Sequence, residues 1–165
     1  MLTRFLLSWR RRDRGKMLFR THIAFGIFLV LLFLGVVEER ILFFAVVLIA
    51  TALVDIDTEH SRAGKFLPFR IVQFFVKHRG VIHSLTFSFV FALVLSSFYP
   101  LAGFAFFIGA GGHIFLDSFT RDGVAPFWPS KKVSKGFVRT GGRIEGLVFA
   151  FLVFVDVVFG VWRVF

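Results

Sequence analysis

The sequence predicts an all-α integral membrane protein: a bundle of about five transmembrane helices plus a short interfacial helix on the cytoplasmic side. Three observations carry this. Hydrophobic residues make up 57% of the 165, mean hydropathy is +0.82, and phenylalanine alone occurs 27 times. That composition excludes a disordered chain and argues against an ordinary soluble domain. The chain is nevertheless strongly basic, at +10 with histidine neutral. A chain that is both apolar and basic keeps its charge in the loops between membrane spans. Finally, apolar stretches near the roughly 20 residues needed for a span recur along it.

Residues 1–16 read as a basic juxtamembrane extension lying at the interface. The apolar piece Phe5 to Trp9 is too short for the core of a secretory signal, and no small-residue cleavage site follows Arg10-Arg11-Arg12. Residues 17–165 then form a single transmembrane helical domain. Its spans are expected at about 18–37, 41–57, 81–99, 101–119 and 144–165. The second is apolar only from Ile41 to Val54 and reaches span length by continuing through Asp55 and Asp57. Between spans two and three, Phe66 to Val76 (FLPFRIVQFFV) is apolar but too short to cross, and reads as an interfacial or re-entrant helix. Pro100 marks a tight turn between spans three and four.

Orientation follows from the loops. Eighteen Lys and Arg fall on one side, in the N-terminal segment and in the second and fourth connections. Only Arg40 and Arg163 fall on the other. The positive-inside rule makes this a multi-pass protein of the cell (inner) membrane, with its N-terminus cytoplasmic and its C-terminus outside.

That topology gathers the ionisable residues. All five histidines and seven of the ten acids fall on the cytoplasmic side. His113 lies 12 residues into its span from Leu101, or roughly 18 Å into a core about 30 Å thick. Asp55, 14 residues beyond Ile41, is about 21 Å deep on the same scale. A carboxylate buried beside a neutral imidazole is costly unless a cation compensates it. His113 and Asp117 are spaced i, i+4 and share one helix face. Asp55 and Asp57 converge only at a fraying helix end, and His78 joins His83 only through a turn at Gly80. Taken singly, these residues also read as interface anchors or helix ends. Their convergence from several helix ends on one face points to a metal site. The chain has no cysteine, so any transition metal must be held by His, Asp or Glu. His22, Asp55, Asp57, His83, His113 and Asp117 offer three imidazoles and three carboxylates, enough for one Zn²⁺ with an open position or for two metals sharing a carboxylate. Ala102, Ala105, Gly109 and Gly112 make a small-residue face beside them.

These motifs resemble a known family. Thr21-His22 heads the first span, and Asp55-Ile56-Asp57 ends the second. His78-Arg79-Gly80-Val81-Ile82-His83-Ser84 fits an HRG-x-x-HS pattern. His113 and Asp117, followed by Thr120, Gly123 and Trp128-Pro129, fit H-x-x-x-D…T…G…WP. Together they resemble the YdjM-like membrane-bound metal-dependent hydrolases, also described as LexA-binding, inner-membrane-associated hydrolases. The resemblance covers residues 17 to about 147. The run Asp57-Thr58-Glu59-His60 departs from it, since many relatives carry His directly after the second Asp. The His/Asp pattern is similar to that of zinc-dependent phospholipase C-type enzymes, which implies phosphoester hydrolysis by analogy.

The expected function is therefore an integral membrane metal-dependent hydrolase acting on a lipid or other amphiphilic phosphate ester. The metal is expected to be Zn²⁺, one or two ions, with Mn or Fe as alternatives. Asp57 or Glu145, whichever is not a ligand, serves as general base. His78, Arg79, Lys131, Lys132, Arg139 and Arg143 hold the anionic head group. Membrane lipids and a cytoplasmic protein are candidate partners. Nucleic acid is disfavoured, because topology already accounts for the basic loops. Two other classes stay open: a non-catalytic anchor or regulator, and a metal or proton transporter, which would need a polar path through the apolar outer half.

Overall fold

The computed structural model describes residues 17–56 and 81–164. Among these residues there are five helices and no strand. They are α1 (Phe19–Phe33), α2 (Arg40–Ile56), α3 (Leu85–Phe98), α4 (Pro100–Ser118) and α5 (Arg143–Val164). The basic extension, the segment expected as an interfacial helix, and the residues Asp57, His60, His78 and Arg79 lie outside the described residues.

The expectation of about five spans is met in part: among the described residues, Pro100–Ser118 and Arg143–Arg163 are the two helices long and apolar enough to cross a membrane by length and composition. The other three helices are apolar but shorter. α3 is shortened at its start. Residues 81–84 form a turn, and the Ser84 side chain accepts from Phe87 N–H at 3.1 Å, capping the helix there. Its 14 residues rise only about 21 Å. α1 is shortened at its end, where a turn closed by Val36 N–H donating to Phe33 C=O replaces the last helical turn. At the Tyr99-Pro100 turn the structure agrees with expectation. Proline occupies the first position of α4, where its missing N–H costs nothing.

Contacts fix the helix directions. Thr51 and Leu48 of α2 lie beside Gly26 of α1, while Phe43 near the start of α2 meets Phe33 at the end of α1, so the two are antiparallel. Phe43 also stacks near Phe104, and Val47 approaches Gly109, so α2 and α4 run parallel. α4 is the central helix, packed on α1, α2 and α3, whereas α5 packs mainly on α1. The α2–α4 approach requires glycine: a Cβ on Gly109 would lie 2.4 Å from Val47 O. On α5, Phe151, Phe154, Val157, Val161 and Trp162 are exposed apolar side chains.

This winding brings the starts of α1, α3 and α5 and the ends of α2 and α4 to one end of the bundle. The other end is packed by Val30, Val37, Phe43, Val47 and Ala105. A loop, 119–142, covers part of the polar end. Val124 pairs with Ser134, and Val138 N–H donates to Phe119 C=O at 3.0 Å. Thr120 pins it directly below Asp117. Its hydroxyl donates to Asp117 C=O at 2.7 Å and accepts from Gly123 N–H. Gly123 has φ +69, and a Cβ there would meet Ser134 O, so glycine is required at that motif position.

Candidate metal centre

His22 sits in the first turn of α1, and His113 and Asp117 lie in the last two turns of α4. All three are about 1% exposed. Because α1 and α4 are antiparallel, His22 is brought across from His113. The imidazoles stack face to face, with centroids 3.8 Å apart and planes 6° from parallel. His22 Nε2 is 3.3 Å from Asp117 Oδ1, and His113 Nε2 is 3.5 Å from Asp117 Oδ2. The three side chains offer ligand atoms that all lie within 4.8 Å of one another.

The donor geometry fits a cation. Ligand atoms about 2.0–2.1 Å from a tetrahedral Zn²⁺ are about 3.3 Å apart, close to both separations here. His113 Nδ1 lies 3.0 Å from Thr51 C=O. A carbonyl can only accept, so Nδ1 carries the proton there, which leaves Nε2, on the side of Asp117, as the His113 atom available to a metal. A buried carboxylate among imidazole nitrogens is stabilised by positive charge, from a metal ion or from a protonated imidazole. Among the described residues, His22 Nδ1 and Asp117 Oδ2 also make no hydrogen bond. Imidazole fixed by a carbonyl behind and a carboxylate beside is an arrangement suited to metal ligation.

The remaining predicted residues are placed as follows. His83 is buried in the turn before α3 and presents its ring edge-on to His113, centroids 5.8 Å apart. It adjoins the three without joining their cluster of ligand atoms. Asp55 lies in the last turn of α2, one turn beyond Thr51. Glu145 is fully buried in the first turn of α5. Its Oε1 accepts from Leu18 N–H at 2.5 Å and from the Thr21 hydroxyl at 3.2 Å, and its Oε2 accepts from Gly141 N–H. Lys131, Lys132, Arg139 and Arg143 are exposed on the covering loop and at the start of α5.

Two contributors escaped the sequence reading. Thr51 supplies the carbonyl behind His113, and its hydroxyl donates to Val47 C=O at 2.8 Å. It is the only hydroxyl residue in α2, and that isolation was the available signal. Met17 contributes a backbone N–H to Asp117 Oδ1 at 3.3 Å, for which no side-chain pattern exists. Gly112 serves helix packing, in keeping with the small-residue face: a Cβ there would meet Leu29 and Phe25 of α1, so glycine admits α1 to close approach.

The chain matches the family model of the YdjM inner membrane protein over residues 17–163, and so it belongs to that family. Family and apolar helices together make it a membrane protein. No curated protein and no solved structure matches it.

Proposed function

We propose that this member of the YdjM inner membrane protein family is a metal-dependent hydrolase that cleaves a lipid or other amphiphilic phosphate ester at the cytoplasmic face. One observation carries the reading: two imidazoles and a carboxylate, buried together at one end of an apolar bundle, with spacings that fit a single divalent ion. An anchor or scaffold has no use for such a group at that depth.

His22, His113 and Asp117 would hold the metal, with Zn²⁺ favoured by the imidazole-rich donor set. His83, whose ring meets that of His113 edge-on, and Asp55, in the last turn of α2, would complete the coordination or bind a second ion. When bound, the metal supplies polarisation of a phosphoryl oxygen and activation of water. The chain's residues do the rest. Thr51 C=O keeps the His113 proton on Nδ1. Both oxygens of Glu145 are already engaged by donors, so the general-base role falls to Asp57. Arg79 and His78, with Lys131, Lys132, Arg139 and Arg143 of the exposed basic surface, bind the anionic head group.

The same loop exposes Phe127, Trp128, Val133 and Phe137 between its cations. Aromatic and basic side chains so mixed suit the headgroup layer of the cytoplasmic leaflet. All five helices cross the membrane in this reading, N-terminus inside and C-terminus outside. The bilayer meets the shorter helices by local thinning and by snorkelling of flanking bases.

The test is elemental analysis of detergent-purified protein, wild type beside His113→Ala/Asp117→Ala, followed by a phosphoester screen. About one or two equivalents of Zn, Mn or Fe in the wild type and none in the variant is the expected result. Absence of stoichiometric metal from the wild type after reconstitution would refute the hydrolase reading.

A further inference from the structure

Glu145 is the buried ionisable side chain of α5 at the polar end. Among the described residues, its hydrogen bonds go to the segment carrying His22 and to the loop before its own helix. Leu18 is the N-cap of α1 and has no side-chain cap of its own. Glu145 fills that place from another helix, accepting from Leu18 N–H and from the hydroxyl of Thr21. The preceding backbone donor, Met17 N–H, goes to Asp117 Oδ1. Two consecutive N–H groups at the start of α1 are thus held by two carboxylates from different helices. One carboxylate belongs to the metal cluster, and the other does not.

From this arrangement, and resting on the metal reading above, we infer that Glu145 is a positioning residue for His22. It fixes the height and rotation of the first turn of α1, so that the His22 ring stays stacked on His113 and its Nε2 stays on Asp117. Its far oxygen ties the same clamp to Gly141, a left-handed residue at φ +67 that starts the turn into α5. The clamp is dry: Thr21 and Glu145 are fully buried. Losing the carboxylate leaves Leu18 N–H and the Thr21 hydroxyl to find other partners, and α1 turns or slides to do so. The ligand atom on His22 moves with it.

The test measures Zn²⁺ affinity of the full-length protein in detergent by competition with a chromophoric chelator, alongside thermal unfolding. Glu145→Ala is expected to weaken Zn²⁺ binding about 10–100-fold, the usual range for outer-shell partners of a metal ligand. Glu145→Gln, which keeps an acceptor for the α1 donors, should weaken it less, and Thr21→Val should weaken it several-fold. Leu152→Ala removes a buried side chain elsewhere on α5 and serves as the structural control. It should lower the unfolding temperature and leave the affinity within about twofold of wild type. If Glu145→Ala does not fold, Glu145→Gln and Thr21→Val decide. Affinities within about twofold of wild type in every folded variant at positions 145 and 21 would overturn this inference alone. Absence of Zn²⁺ binding in wild type would overturn the metal reading, and this one with it.

Discussion

Asp117 and Glu145 are buried carboxylates at the same end of the bundle, each holding one of two adjacent backbone N–H groups, yet their surroundings differ in kind. Glu145 faces neutral donors: two backbone N–H groups and a hydroxyl. Such donors stabilise a carboxylate without any other charge and take up most of its acceptor capacity. Asp117 faces two imidazole nitrogens at 3.3 and 3.5 Å, with a single backbone N–H on one oxygen. That carboxylate is incompletely satisfied and is flanked by ligand atoms. Burial is the same for the two. What separates a structural carboxylate from a candidate metal ligand is whether its neighbours are neutral donors or other metal-ligating atoms.

The comparison can be broken or sharpened by experiment. The largest effect is expected from Asp117→Asn, which should abolish stoichiometric metal binding. Without metal, its unfolding temperature should stay near or above that of wild type, because an unmatched buried charge is gone. The stabilisation that Zn²⁺ gives wild type, about 2.7 kcal/mol at a hundred times Kd, should vanish in the variant. Thermal unfolding with and without Zn²⁺ measures both. Glu145→Ala should behave oppositely, losing about 3 kcal/mol or more with or without metal as buried donors lose their acceptor. If Asp117→Asn destabilises the metal-free protein as much as Glu145→Ala does, the distinction between the two carboxylates fails.

A smaller loss, about 1–3 kcal/mol, is expected from Gly109→Ala, whose Cβ would press on Val47 O and push α2 from α4. Because Thr51 C=O rides on α2, Zn²⁺ affinity should fall as well. Thr51→Val keeps that carbonyl and removes only the hydroxyl. It should cost about 1 kcal/mol and leave Zn²⁺ affinity unchanged in the chelator competition.

The smallest effect concerns a third carboxylate, the exposed Glu39, which accepts from the Tyr99 hydroxyl. That hydrogen bond, then burial and the charge of Glu39, raise the Tyr99 pKa above its ordinary 10.0. The folded state favours the protonated phenol, so its contribution is present below pH 10 and is lost as pH rises through the raised value. Tyr99 is the only tyrosine, so ultraviolet titration reads it alone. Glu39→Gln should return the midpoint toward 10.0. A midpoint unmoved by that change would show that the hydrogen bond has no weight in solution.

The helices were legible in the sequence because hydropathy is a sum over neighbouring residues. Five apolar stretches gave five helices, with ends a few residues from those expected. Their lengths were less legible. Ser84 caps α3 by a local hydrogen bond that competes with hydropathy, so the turn at 81–84 could not be read from apolar content. His113 and Asp117 were legible as a pair, because i, i+4 spacing on a helix places two side chains on one face. The partnership of His22 with them was suggested only by motif resemblance and by the shared side of the membrane.

What the sequence determined by itself is therefore what depends on near neighbours. It set the apolar segments, the charge asymmetry of the loops, the His113–Asp117 face and the membership of a membrane-protein family. The tertiary structure decided the rest. It selected His22 as the second imidazole, placed the Thr51 carbonyl behind His113, and gave Glu145 three neutral donors. Those outcomes hang on the approach of α1 and α2 to α4, which Gly112 and Gly109 permit. A carboxylate's role depends on which donors reach it through space, and that is settled only when the helices pack.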